Sequence, residues 1–488
     1  VPQTTKKSKL NLETESCRSI RTILPHFRRV VVSMALCLTT ACTNYFSPDY
    51  ERPDTPAKVE WSRHLPTKVS GSQVIREEWW KNFRDPYLDQ LIARAIEHNV
   101  DLAILAKSIG VAKTTISQVN ATRLPTIEGA FGARLTKASG APLRESYSWV
   151  TALSWEIDIW GKIEEGVEAQ EAEYKASEAD WRAGYLIMVS NLATTYFQIR
   201  LFDEQIERQR ASLHANNDIL KTFEIMREEG VMSDQDVLQQ SARINTLEKD
   251  LMELQRLRAL AENALATIQG IPAGNFSVSP SKFLVDVKPV DIPLGLPSDL
   301  LLRRPDIVAA EYRVLESLNL ISEARKGLLP TVRIMAKGGM SSIKVTDLSK
   351  AFTYGLDPSI ELPFLDPNVY ARIDVTEAEI KVFEEQYRAT VLNAFEEVEN
   401  ALVNLTNQKK QRVELQEKVR KLTKSTELVR MRLSEGLTTK LEVFESERTY
   451  LVAELELLRN HQQFLAANIE LYKALGGGWP VEEVKDDG

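Results

Sequence analysis

This chain is short of the residues on which most site chemistry depends. Its 488 residues hold only three cysteines and five histidines. The cysteines are Cys17, Cys37 and Cys42, all close to the N-terminus. No disulfide framework can therefore brace the remainder, which packing must hold. His64, His98, His214 and His461 are scattered, without HExxH or any other metal-ligand spacing. No glycine-rich phosphate loop runs into Lys-Ser/Thr, so ATP hydrolysis is not expected. The reading is of a chain with no cofactor, no metal and no enzymatic chemistry. No run approaches the roughly 18 apolar residues of a transmembrane helix. The formal charge of -8 argues against nucleic acid, which selects basic surfaces. Proline is missing from residues 143–271 and 368–479, so two long stretches contain no proline to break a helix.

The one compact apolar stretch lies near the N-terminus. Arg28 and Arg29 precede an apolar segment at 30–38, then Thr39, Thr40, Ala41 and Cys42. That order reads as a secretory signal. With cysteine directly after Ala41 it resembles a bacterial lipoprotein signal, which would make Cys42 a lipid anchor. The pattern departs at Thr39, where a leucine is expected. A plain secretory signal with an incidental cysteine is the alternative. Residues 1–41 are set aside as the signal segment, with 1–27 as a start-site extension. The rest carries 54 Lys/Arg against 67 Asp/Glu.

What remains repeats itself. Leu124-Pro125-Thr126 recurs as Leu329-Pro330-Thr331, 205 residues later. Trp155-Glu156-Ile157 recurs as Ile360-Glu361-Leu362 at the same offset, and Glu229-Gly230 as Glu435-Gly436 at 206. A constant offset over this distance marks two copies of one unit. The expected divisions are an N-terminal segment at 42–95, a first repeat at 96–270 and a proline-rich linker at 271–297. A second repeat at 298–478 and a tail at 479–488 follow.

Each copy reads helix, strand, strand, long helix, turn, helix. Strands are expected at about 127–137 and 146–160, then 331–343 and 352–365, from period-two alternation. Tyr147, Trp149, Leu153, Trp155 and Ile157 share one parity; Ser146, Ser148, Ala152, Ser154 and Glu156 share the other. The proline-free stretches then show heptads, such as Leu415, Val419, Leu422, Thr426, Val429 and Leu433. Sustained heptads mean coiled-coil seams. The long helices should turn at Gly230 and at Gly436, with Ser or Thr capping the next start.

Four strands cannot close a barrel, and a transmembrane barrel needs at least eight. Three chains would supply twelve, with the aromatic parity facing lipid and the polar parity facing water. The alternative is a buried sandwich face. It leaves unexplained why such long helices follow directly.

Several stretches resemble the TolC-like outer-membrane factors, closest to the lipoprotein branch that serves resistance-nodulation-division efflux pumps. They are Ser47-Pro48-Asp49-Tyr50-Glu51-Arg52-Pro53, the Trp79-Trp80…Phe83…Asp85-Pro86 segment, LPSDLLLRRPDI at 296–307 and LYKALGGGW at 471–479. The resemblance implies a mainly α fold with a β part. It implies a homotrimer with a 12-stranded outer-membrane β-barrel, continuous with a periplasmic α-helical coiled-coil barrel. It also implies a periplasmic adaptor, an inner-membrane transporter and a passive exit duct for drugs or other small molecules.

The same resemblance assigns sites. Leu441, Glu445 and Arg448 match the family's periplasmic gate, with Glu445 where aspartate is usual. A solvated ion pair is the alternative. Arg227, Gly230 and Val231, with Arg432, Gly436 and Leu437, match the tips where the adaptor docks; plain helix termination explains the glycines equally well. By strand parity, Glu156, Asp158, Asp357 and Glu361 would make the lumen acidic, or be generic solvation of a wet wall. Asp236 reads as a helix-start charge. Arg303, Arg304, Pro305 and Asp306 read as structural, with Ser298 or Asp299 capping a short helix and Pro305 ending it. Two other functions stay open: a duct for type I protein secretion, and a trimeric coiled-coil scaffold without a pore.

Overall fold

The two proline-free runs hold the two longest helices, each ended by a glycine. The computed structural model describes residues 45–54, 78–140, 142–280, 303–350 and 352–477. The signal segment, Cys42, most of the linker and the tail lie outside these residues. After a 3-10 turn at Trp79–Phe83 come α1 (Pro86–His98), α2 (Val100–Ala121), β1 (Thr126–Thr136), β2 (Arg144–Ile157), α3 (Lys162–Glu228) and α4 (Asp234–Ile268). The second copy gives α5 (Pro305–Lys326), β3 (Thr331–Ser342), β4 (Phe352–Glu361), α6 (Pro367–Ser434) and α7 (Lys440–Ala474). The bounds of α2 and α5 differ by 205 at both ends, and those of α4 and α7 by 206. The duplication thus extends to element boundaries.

Two strands end sooner than alternation suggests. The second strand of the first copy stops at Ile157 rather than near 160, and its counterpart stops at Glu361 rather than near 365. In the first case Asp158 diverts the chain. Its two carboxylate oxygens accept the amides of Lys162, Ile163 and Glu164 at 2.7 to 3.1 Å, which nucleates α3. In the second, Pro363 opens a 3-10 turn at Pro363–Leu365. Arg303 is helical and Arg304 is not, and a new helix begins at the next residue, Pro305; the start of the short helix expected before Pro305 lies outside the described residues. Pro305 is the first residue of α5, where its missing N–H costs nothing.

The described residues divide into two units. One comprises 45–52, 113–173 and 313–384, and contains the sheet with the helix ends that flank it. Its four strands are antiparallel in the order β1-β2-β3-β4, leaving β1 and β4 as edges within the chain. Below the strands, Ile163, Val167, Ala169, Ala172, Ile321 and Ala324 are buried between helices. The alanines allow close backbone approach.

The other unit takes 53–54, 78–112, 174–280, 303–312 and 385–477 among its described residues. Its core gathers Trp79, Phe83, Leu88, Leu192, Tyr196, Leu402, Leu465 and Tyr472. Trp79 stacks on Tyr472 with centroids 5.0 Å apart, so the two ends of the described helical unit meet in one cluster. Each such buried aromatic or aliphatic side chain contributes ~1.5–3 kcal/mol. Burial drives the Tyr472 hydroxyl pKa up to about 12. Asp85 caps α1 and also accepts from the Tyr196 hydroxyl at 2.5 Å. Burial, then that carboxylate, raise the Tyr196 pKa above the usual phenol range. Arg304 is buried and spans Asp306 at 2.6 Å, Glu397 at 2.7 Å and the Ala474 carbonyl at 3.0 Å. Its structural reading therefore rests on a three-way junction.

Candidate channel wall and helical tips

The strand register sorts side chains onto two faces, because directly paired residues share a face. Ile127, Phe131 and Leu135 of β1 pair with Leu153, Trp149 and Glu145. Trp149, Leu153 and Trp155 pair in turn with Met340, Ala336 and Ile334, and these with Phe352, Leu356 and Pro358. One face is thus apolar across all four strands, with Glu145 only at its rim. It is open to the surroundings: Phe131 is 60% exposed, Leu356 68% and Tyr354 87%. A patch of this extent marks an interaction surface, and in a sheet it is the signature of a lipid-facing wall.

The opposite face carries Glu128, Ser148, Ser154, Glu156, Arg333, Lys337, Ser341, Asp357 and Glu361. It is polar, but the acidic-lumen expectation needs correction at two points. Asp158 lies beyond the strand and is committed to the α3 amides. Glu156 and Glu361 share Arg333, at 3.4 and 2.9 Å, and Glu156 also meets Lys162 at 2.5 Å. Of the four carboxylates, Asp158 and Asp357 make no ion pair among the described residues, and Asp158 is held by backbone amides instead. Arg333 reaches this face through the register, opposite Glu156 of β2 and Ser359 of β4, so cations have to be counted beside the carboxylates.

The N-terminal segment reaches the foot of the same sheet. Ser47 Oγ donates to Glu165 Oε1 at 2.7 Å, and Arg325 donates to the Tyr45 carbonyl at 2.8 Å. Arg325 also lies over the Tyr45 ring, 5.0 Å from its centroid, and binds Glu377 at 2.8 Å. Glu165 itself is buried against Lys326 at 2.5 Å.

At their far ends the long helices stop on glycine. Gly230 has φ 72° and Gly436 has φ 71°, left-handed values that side chains with a Cβ resist. The next amides turn back: Val231 N–H donates to Met226 O and Leu437 N–H to Arg432 O, each at 2.8 Å. Ser233 and Thr439 then cap α4 and α7. Ser233 Oγ also donates to Asp236 at 2.6 Å, which fits the helix-start reading of that acid. Arg227 lies 3.9 Å from Asp234, and Arg432 folds back on Glu442 and the Leu437 carbonyl. Val231 and Leu437 point outward, 70% and 63% exposed.

Leu441 lies one turn beyond the second tip and is 60% exposed. Arg448 binds Glu445 through Nε at 3.0 Å and Nη2 at 2.9 Å, an i,i+3 pair within α7. Arg243 of α4 approaches the same carboxylate at 3.5 Å. Arg243 was missed in the sequence because only tertiary packing brings the first-copy helix beside the second.

With this geometry in place, comparison with known proteins is direct. The outer membrane efflux protein family matches residues 91–270 and again 296–477, one match per repeat. The solvent efflux pump outer membrane protein SrpC of Pseudomonas putida is 28% identical over 468 residues, covering 92% of this chain and 98% of its own length. The probable outer membrane lipoprotein SilC of Salmonella typhimurium is 26% identical over 471 residues, covering 93% and 99%. Among solved structures, the open-state MtrE outer membrane channel of Neisseria gonorrhoeae superposes with a TM-score of 0.76 at 26% identity, covering 88% of this chain and 98% of that one. The chain therefore belongs to the outer membrane efflux protein family, has the TolC-like fold, and is the outer-membrane component of an efflux system.

Proposed function

We propose that three copies close their sheets into one twelve-stranded barrel and form a passive exit duct for small molecules, performing no chemistry. The observation that carries this is the sheet itself. It has one apolar face, one polar face and two unpaired edges, at β1 and β4. Free edges bordering an apolar face are not stable in water or in lipid, and closure against neighbouring chains satisfies them. SrpC is named for solvent efflux, and SilC is named as a lipoprotein. Both fit a duct for small solutes with Cys42 as its lipid anchor. The tips at Gly230 and Gly436, with Val231 and Leu437 exposed, dock a periplasmic adaptor. Through it the duct joins an inner-membrane transporter of resistance-nodulation-division type, which supplies the energy. Leu441, Glu445 and Arg448 form the gate, and the Glu445–Arg448 pair holds it closed.

Single-channel recording in planar bilayers tests the duct. The wild-type protein should conduct weakly, and Glu445→Ala with Arg448→Ala should conduct several-fold more. Silence in both forms rules the duct out. Deleting the gene should sensitise the host to small toxic compounds; unchanged susceptibility across a broad panel removes the efflux role.

A further inference from the structure

We propose that the outer end of this barrel is an anion-attracting mouth, set by Arg134 and Arg144. The proposal rests on the trimeric duct reading above.

The register row Ala130–Val150–Gly339–Thr353 crosses the sheet at mid-height and carries no charge. On its helix side, the polar face holds Glu128, Glu156, Asp357 and Glu361 against Arg333 and Lys337. On its loop side, the same face holds Arg134 and Arg144 and no carboxylate. The nearest acid, Glu145, sits on the apolar parity opposite Leu135, where it accepts from the Tyr147 hydroxyl at 3.2 Å. The loop half as a whole, residues 130–150 and 339–353, has five Lys/Arg against two Asp/Glu. The helix half of the strands reverses that sign. The charge of the wall therefore changes along the barrel, which no count over the whole lumen reveals.

Arg134 pairs with Ser146 and Arg144 with Thr136, so the two arginines occupy diagonally neighbouring positions on one face, ~7–8 Å apart at the strand surface. Both are exposed, and neither makes an ion pair among the described residues. Like charges so placed repel unless an anion lies between them. Rings of Arg or Lys are how pores favour anions, and rings of Asp or Glu how they favour cations. Three chains would place six guanidiniums around the exit. Their field reaches ~8 Å into physiological salt, so a solute passing near the wall feels it. Small carboxylates, phosphates and sulfonates would leave past this mouth readily; small cations would meet a barrier there.

The test uses the full-length trimer with the gate opened by Glu445→Ala and Arg448→Ala, in a planar bilayer under a potassium chloride gradient. The reversal potential gives the chloride-to-potassium permeability ratio. Arg134→Gln with Arg144→Gln should lower that ratio at least two-fold, while Arg134→Lys with Arg144→Lys keeps it. Glu128→Gln, on the helix half, should move it the other way. Millimolar sulfate added on the loop side should reduce chloride current with arginine or lysine present and lose that effect in the glutamine form. A conducting channel whose ratio and sulfate response ignore the glutamine pair overturns the mouth and leaves the duct standing. No conductance in any form overturns the duct, and the mouth with it.

Discussion

Glu316 shows how one side chain can make the helices below the sheet sensitive to pH. Burial first, and the neighbouring Glu173 carboxylate second, raise its pKa from 4.5 to about 7. Arg313, 3.6 Å from Glu173, opposes the shift only weakly. A carboxyl whose pKa is raised on folding stabilises the fold while it is protonated. Its contribution is complete below about pH 4.5 and is lost as pH rises through about 7. Thermal melting of the detergent-solubilised protein should therefore occur at a lower temperature at pH 7.5 than at pH 5. Glu316→Gln should flatten that difference. A variant that keeps the full pH slope assigns it elsewhere.

At the scale of elements, the sheet is defined by which face each residue takes. Phe131 and Tyr354 stand on the apolar face, Ser148 on the polar one. An arginine near mid-membrane on a lipid face costs ~2–4 kcal/mol, and one on a wet face costs little. Phe131→Arg and Tyr354→Arg should each cut the yield of assembled protein in outer-membrane fractions, while Ser148→Arg should leave it close to wild type. The reverse ranking would exchange the two faces. The helical elements obey a different rule. Their ends are set by glycines at positive φ and by Ser233 and Thr439 caps, and their interiors by buried heptad residues such as Leu458, Leu465 and Tyr472.

For the whole molecule, the decisive step is closure of the two free edges. Outside the N-terminal region the chain has no cysteine, so cross-links can be introduced cleanly. Thr126→Cys on β1, combined in turn with Asp357→Cys, Ser359→Cys or Glu361→Cys on β4, should give a covalent trimer ladder on mild oxidation for at least one pair. Monomer alone in every combination counts against three-fold closure. The anchor is tested separately. Labelled palmitate should enter the wild-type protein and be absent from Cys42→Ala. The Arg325 and Ser47 contacts should still hold the Tyr45 segment against the sheet's foot in that variant.

Much of this molecule can be read from its residues in order. Period-two alternation, absent proline and a constant offset near 205 are properties of the chain, and they dictate two hairpins, long helices and a duplication. Gly230 and Gly436 could be placed at turns because only glycine tolerates that backbone readily. Strand ends were less legible, since Asp158 fits the alternation yet serves as a helix cap; a local hydrogen bond overrode a weak pattern. Charge was least legible. Parity says which side a residue faces, whereas only the register between strands says what lies beside it and at what height. That is why Arg333 beneath Glu156 and Glu361, Arg243 beside Glu445, and the bare pair Arg134 and Arg144 emerged only from the tertiary structure. Electrostatic interaction depends on distances between segments far apart in sequence, and folding alone sets those distances.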